Sequence, residues 1–221
     1  MADQEFFEVG SATTNTVEGS STTVFIDSTP ICPNMTDREF RELAARLLKS
    51  SQGLVERRLA DLRRYDAKTK ERMTFWFGTS DESSRRYLIA GFEKVSRVLG
   101  DLRPTNLIRS LSDEDRSLGC APNLKNLDGE AAHVCKPNIT TRRIAIAIQF
   151  CTTLTNFKMF ADSRVSTLIH EVTHFVDTFD STDEMYSIST PLALWGQRNS
   201  ALALSNADSL AGFVVYDESI D

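Results

Sequence analysis

The segment His170-Glu171-Val172-Thr173-His174 sets two imidazoles four residues apart, with a carboxylate directly after the first. On a helix, residues four apart share a face, so both imidazoles can converge on one ion while Glu171 points toward a water bound to it. This HExxH pattern is the equipment of metal-assisted hydrolysis. Short patterns of this kind also arise by chance on amphipathic helices. Here two of only three histidines in the chain fall inside the motif, and Arg164-Val165-Ser166-Thr167-Leu168-Ile169 ahead of it continues the helix back to Ser163 as N-cap. The third histidine, His133, lies in a loop-like Ala-Ala-His-Val-Cys stretch without a partner motif and reads as a surface residue rather than a ligand.

A catalytic zinc site keeps three protein ligands and leaves the fourth position to water or substrate, so a third ligand is needed. After His174 the chain offers Asp177, Asp180, Asp183 and Glu184, and no further histidine. The metzincin pattern would put its last ligand at Asp180, but its turn-forming glycine position holds Asp177. Glu184 is too close to the motif for the second-helix glutamate of thermolysin-like enzymes. Spacing alone leaves the third ligand open, and solvated turn residues account for the acids that do not ligate.

Thr182-Asp183 with Tyr186 three residues on, nine residues beyond His174, resembles the GTxxDxxYG region of the aspzincins, the deuterolysin and peptidyl-Lys metalloendopeptidase group. That resemblance implies Asp183 as third zinc ligand, Tyr186 as the residue stabilising the tetrahedral oxyanion, and Glu171 as general base. Trp76-Phe77-Gly78, followed by Ser83-Ser84-Arg85, is similar to the family's WFG segment. Asn206-Ala207-Asp208-Ser209 ahead of Phe213 is similar to its NAD segment, which helps shape the pocket for the residue after the scissile bond. The resemblance spans most of residues 32 to 216. The chain departs from the family in three places: Ser181-Thr182 replaces GT, Ser187 replaces the glycine after the tyrosine, and Ala211 stands where Lys-specific members carry a glutamate. Strict lysine specificity is not implied. The implied activity is that of an endopeptidase using one Zn2+ held by His170, His174 and Asp183, acting on protein or peptide substrates.

Charge is unevenly spread. Residues 165 to 221 carry nine acids and one base, Arg198, whereas residues 32 to 164 carry 24 basic and 17 acidic side chains, so the net charge of -6 conceals a polarised molecule. An acidic cleft would concentrate cationic peptide segments, with Asp208 pairing a basic side chain next to the cut; equally, these acids would serve to solubilise exposed loops. No basic stripe interleaved with aromatics supports nucleic-acid binding.

The elements that must position these residues are legible in outline. Residues 1 to 31 hold five acids, no Lys or Arg and a Ser/Thr-rich run from Ser11 to Thr23, which reads as a weakly structured arm with Thr22–Ile26 as a candidate edge strand. Residues 32 to 221 fit a single aspzincin-like domain. Thr36-Asp37-Arg38-Glu39 is a capping-box signature opening a core-facing helical hairpin through Leu62, with Gly53 as its break. Residues 82 to 99 form a second amphipathic helix. The alternation from Arg143 to Phe150 predicts a strand ahead of the active-site helix, and Pro191 to Leu204 and Ala207 to Val215 read as helices, with Leu192, Leu194, Trp195, Leu202, Leu204, Leu210 and Phe213 as core candidates. The expected fold is α+β and mainly helical, a zincin-like protease with a small sheet packed on the HExxH helix. There is no internal repeat, no Gly-rich phosphate loop and no membrane span.

Cys32, Cys120, Cys135 and Cys151 contain no CxxC pair, which argues against a structural zinc knuckle. Aspzincins carry disulfides in this part of the chain; order of appearance suggests Cys32 with Cys120 and Cys135 with Cys151, one of three connectivities that four cysteines permit. Reduced core cysteines are the alternative. Disulfides without the basic start and apolar stretch of a signal peptide lead to the expectation of a protein secreted or delivered outside the producing cell, as a mature fragment or as a toxin or effector with its own export route and an inhibitor or immunity partner. The sequence favours a monomer. A delivered protein acting by binding a partner, with zinc holding its fold, is the alternative function, and the retained Glu171 argues against it because a structural site needs no base.

Overall fold

The computed structural model describes residues 6–13, 21–120 and 129–220. Strands β1 (Phe6–Thr13) and β2 (Ser21–Asp27) pair as an antiparallel hairpin in the N-terminal arm, and Thr22–Ile26 falls inside β2. The rest of the Ser/Thr-rich run, residues 14 to 20, lies outside the described residues.

The scaffold is helical. Thr36 caps α1 (Asp37–Arg64) with a complete capping box to Glu39, and the helix then runs unbroken past Gly53 to a left-handed C-cap at Tyr65. The expected hairpin is therefore one long helix. A Cβ at position 53 would meet nothing within 4 Å, so this glycine marks neither a turn nor a close approach. The apolar stripe from Phe40 to Leu62 lies buried against α3 (Glu82–Asp101), the anticipated second amphipathic helix.

Between them, α2 (Ala67–Phe77) ends at Gly78, whose φ of +64° and contact with the Gln197 backbone both exclude a side chain. The fully buried Trp76 ring packs against Gly212 in α9 (Ala207–Val215), while its carbonyl packs against Gly196 in α7 (Thr190–Arg198). The Trp76-Phe77-Gly78 segment thus locks α2 to α7 and α9, two of the helices that follow the HExxH motif.

The small sheet has the order β3-β5-β4: β3 (Leu107–Arg109) runs parallel to β5 (Ile144–Ile146), and β4 (Ala132–Val134) pairs antiparallel with β5 at the edge. A short helix α4 (Asp113–Ser117) follows β3. The strand expected over Arg143–Phe150 is only three residues long, because the chain turns at Ala147 into α5 (Ile148–Thr152), leaving Ile148 57% exposed. The active-site helix α6 (Arg164–His174) starts at Ser163, whose hydroxyl accepts from the Ser166 amide as the sequence predicted. Its first residue ties it to α5, Arg164 donating to the carbonyls of Phe150 and Cys151. Helices α1, α3 and α9 and strand β4 all pack on α6, which places the motif at the centre of the fold.

After α6 come α7, the short α8 (Ser200–Ala203) and α9. Leu192, Leu210 and Phe213 are buried and Trp195 and Leu204 half-buried against the core, but Leu194 and Leu202 are exposed. In α7 the buried face is Leu192, Ala193 and Gly196, which turns Leu194 outward. No helix among the described residues is long and apolar enough to cross a membrane.

The disulfides are Cys32–Cys151 and Cys120–Cys135, correcting the pairing expected from order of appearance. Cys32 lies just ahead of α1, beside α5, where the Asn34 side-chain amide also donates to the Cys151 carbonyl. Cys135 directly follows β4 and meets Cys120 just beyond α4, so the short bridge clamps the edge strand from outside.

Candidate active site

Helix α6 presents the two motif histidines on one face. The Nε2 atoms of His170 and His174 lie 3.0 Å apart, and each lies near Asp183 Oδ1, at 3.3 Å and 3.4 Å respectively. The opposite ring nitrogens are committed: His170 Nδ1 donates to Asp208 Oδ1 at 2.7 Å, and His174 Nδ1 donates to the Ser181 carbonyl at 2.9 Å. With both Nδ1 atoms protonated, two nitrogen lone pairs and a carboxylate oxygen face one point. Three acceptors that close repel one another unless a cation stands between them.

Tetrahedral zinc with bonds of about 2.0–2.1 Å spaces its ligand atoms about 3.3 Å apart, which these three separations match. The field points the same way. Burial opposes charge on the His170 ring, but Asp208, Asp183 and Glu171 outweigh it and pull the imidazole strongly toward its protonated form. Burial also opposes charge on Asp183, yet the two histidines hold its carboxyl far below the usual range. Residues that so favour positive charge at one point, with each imidazole oriented by an outer acceptor, fit a zinc ion.

Glu171 is buried, with its carboxylate 3.9 Å from His170 Nε2. Burial raises its pKa above the ordinary glutamate value against the pull of the two histidines. Tyr186 is half-exposed, and burial together with the nearby Asp183 carboxylate raises its phenol. Both line a cleft of about 560 Å³ whose walls include the edge strand β4 and whose floor is α6.

The segment carrying Asp183 and Tyr186 is held from below. Thr182 bridges in parallel to Asn206, with the Thr182 amide donating to Ser205 O and the Ala207 amide donating to Thr182 O. The Asn206 side chain, fully buried, accepts from the amides of Glu184 and Met185 and donates to Met185 O. Asp208 Oδ2 accepts from the Ser187 amide at 2.8 Å, and Ser187 itself has φ +70°, the left-handed conformation that suits the glycine it replaces.

Two of the other candidate acids, Asp177 and Asp180, have different partners. Arg142 grips Asp177 through two bonds of 3.0 Å and 2.6 Å, and Asp180 faces Lys136. Among the described residues, only His170, His174 and Asp183 form a cluster of three able to hold a metal. Asp208 faces the cleft but is 9% exposed, and each of its oxygens already accepts a hydrogen bond, from His170 and from Ser187.

Several residues of the site carry little sequence signal. Ser181 and Asn206 are buried supports, the latter visible only as part of the NAD resemblance. Asp162 lines the cleft beside Asp208; burial, with the nearby Asp208 carboxylate, raises its pKa although it accepts from the Ile188 amide. His133, read as a surface residue, points from β4 into the cleft between Glu130 at 2.5 Å and Asp115 at 3.0 Å. Burial works against its charge, but these two carboxylates outweigh it and its pKa is pushed up to about 10. The ring is a fixed imidazolium that ties the edge strand to α4.

No curated protein shows significant sequence similarity to this chain. A zinc peptidase from Grifola frondosa has a similar fold, with a TM-score of 0.62 at 19% identity over 82% of this chain and 96% of that one. The sequence model of the aspzincin family, described as lysine-specific metallo-endopeptidase, matches residues 63–215, more than half of the chain and all of the elements that build the cleft from α2 onward. This chain belongs to the aspzincin family and is a zinc metalloendopeptidase.

Proposed function

We propose that the chain cuts peptide bonds at one zinc ion held by His170, His174 and Asp183, with Glu171 as general base and Tyr186 at the oxyanion. The observation that carries this reading is the convergence of the two Nε2 atoms and Asp183 Oδ1 within 3.0–3.4 Å, beside a buried carboxylate. Bound there, zinc supplies a Lewis acid and lowers the pKa of a water to about 7. Glu171 takes the proton from water and hands it to the leaving amine, and the raised pKa that burial gives it brings the two proton affinities closer together. The Tyr186 hydroxyl, at the cleft wall, donates to the oxygen on which negative charge develops. Asp208 and the Ser181 carbonyl keep both Nε2 lone pairs directed at the metal position. Strand β4, the edge of the sheet among the described residues, offers main-chain groups to an extended substrate laid along the cleft.

We read the finer specificity as a preference for a basic side chain beside the cut. Asp162 and Asp208 support it: two carboxyls near one another in the cleft, where a cation would relieve their mutual repulsion. With Ala211 in place of the family's glutamate, these two carboxyls are the ones that would meet such a side chain, although Asp208 already accepts from His170 and Ser187 and Asp162 from Ile188. We read the chain as a monomer with residues 32–221 as the catalytic unit, and residues 1–31 as an arm whose last residue, Ile31, joins the buried core that runs to Val215. Two disulfides suit an oxidising compartment and a protein that works outside the producing cell as a secreted enzyme or delivered toxin.

The test is zinc content together with cleavage of a mixed peptide library, for wild type and Glu171→Gln side by side. Zinc near one per chain in both, with cleavage lowered by about 10²-fold or more in the variant, is expected. Zinc bound without cleavage by either protein, or full biological effect from Glu171→Gln, would favour action by binding a partner.

A further inference from the structure

The His174–Asp183 segment joins two of the three metal-facing residues, and one cation outside it touches both of its halves. Lys136 O accepts from the Val176 amide at 3.3 Å, while Lys136 Nζ donates to Ser181 O at 2.5 Å and lies 3.5 Å from Asp180 Oδ1. Ser181 O is the same atom that accepts from His174 Nδ1. A carbonyl has two lone pairs, and here the ammonium and the imidazole take one each.

We propose that Lys136 is a positioning residue for the metal site, fixing the Asp180–Asp183 turn so that Asp183 and the His174 ring keep their ligand geometry. The inference rests on the reading that His170, His174 and Asp183 hold zinc. The turn gains from a tie of this kind, because Asp180 sits at φ +50°, in the left-handed region that only glycine adopts without cost, although Asp tolerates it better than most residues. Its other restraints come from α6 and from the Thr182–Asn206 bridge beneath Thr182. The Ser181 amide donates to Thr173 O, and Thr178 Oγ1 donates to the last carbonyls of the helix. Lys136 adds a restraint from the wall that carries β4.

Lys136 is itself well anchored. It follows Cys135, bonded to Cys120, and stands two residues beyond the end of β4. The contact with Asp180 alone would be a surface ion pair of small consequence, since the two side chains are 37% and 60% exposed. The bond to the carbonyl of Ser181 differs, because Ser181 is fully buried and its oxygen orients a metal-facing ring. Without the ammonium, the Ser181 carbonyl keeps only its bond from His174, and the peptide between Ser181 and Thr182 is less firmly oriented toward that ring. The residue thereby links the cleft wall that would receive substrate to the loop that would carry the third ligand.

The experiment is zinc affinity by chelator competition for wild type, Lys136→Met, Lys136→Arg and Asp180→Ala, with the melting temperature of each metal-free protein recorded. Lys136→Met is expected to bind zinc 10- to 100-fold more weakly, as outer-shell losses do, with its metal-free melting temperature within a few degrees of wild type. Lys136→Arg, which keeps the cation, should recover most of the affinity, and Asp180→Ala should stay within about threefold of wild type because the carbonyl contact carries the effect. If Lys136→Met fails to fold, the Arg variant decides: wild-type zinc affinity supports the proposal, and a loss as large as 100-fold overturns it. Wild-type affinity in Lys136→Met also overturns it. His170→Ala in the same assay tests the site itself, and zinc retained there would refute the metal assignment instead.

Discussion

Replacing Asp208 by Asn distinguishes two roles for an acid in this cleft. If Asp208 orients His170, the change strikes the metal site; if it receives a basic side chain of the substrate, the change strikes specificity. The carboxylate accepts from His170 Nδ1 at 2.7 Å through one oxygen and from the Ser187 amide at 2.8 Å through the other. An asparagine has only one oxygen to serve both donors. With its amide nitrogen toward His170, the ring must shift its proton to Nε2, which removes the lone pair that faces the metal position. With the nitrogen toward Ser187, two donors oppose each other and the charge-assisted bond to His170 becomes a neutral one, a difference of about 1 kcal/mol or more. Either arrangement should lower zinc affinity by about 10- to 100-fold, equivalent to about 1.4–2.7 kcal/mol. Chelator competition measures that loss, and cleavage of matched peptides with Lys, Arg or norleucine beside the cut measures preference. The reasoning predicts weaker zinc with the order of peptide preference retained once zinc is saturating. Zinc affinity within twofold of wild type, with cleavage of basic peptides selectively lost, would refute it and make Asp208 a substrate contact.

The two disulfides should differ in weight, since Cys32–Cys151 closes a separation of 119 residues and Cys120–Cys135 one of 15, worth about 5 and about 3 kcal/mol by loop-closure entropy. In denaturant unfolding, Cys32→Ser, Cys151→Ser and the double variant should lose the same stability, and a peptide map joining Cys32 to Cys120 would contradict the pairing. Ser187→Gly should raise stability by about 0.5–1 kcal/mol, because relief of the left-handed backbone at φ +70° exceeds the added chain entropy of glycine. That corresponds to a melting temperature about 1–4 °C higher, and a lower one would show that the Ser187 side chain, not its backbone, holds the loop.

What the sequence makes legible here is what depends on neighbours a few residues away. The face shared by His170 and His174, the Ser163 cap and the Thr36 capping box all follow from helix periodicity and local hydrogen bonding, and the structure has them as read. The Arg143–Phe150 alternation failed as a strand because large and small apolar residues alternate for a different reason: β5 is paired on both edges and buried on both faces, and once Ala147 leaves the sheet nothing keeps Ile148 extended. The cysteine pairing failed because chain order says nothing about which ends meet across a fold. His133 shows the same limit, since its two carboxylates come from a turn 3 residues away and a helix 18 residues away. Asp208 is the sharpest case, because its place at the cleft followed from the NAD resemblance, with a basic substrate side chain as its expected partner, whereas its contact with His170 had no sequence signal. An acid at that distance can neutralise a substrate cation or hold an imidazole, and the two differ only in whether its oxygens are already engaged. That depends on His170, 38 residues back and brought to it by the seating of α9 on α6, and on the Ser187 amide, 21 residues back in the loop that Asn206 holds. The residues that would do the chemistry are written along one helix and the turn after it, whereas those that set their proton and metal affinities are written across the fold.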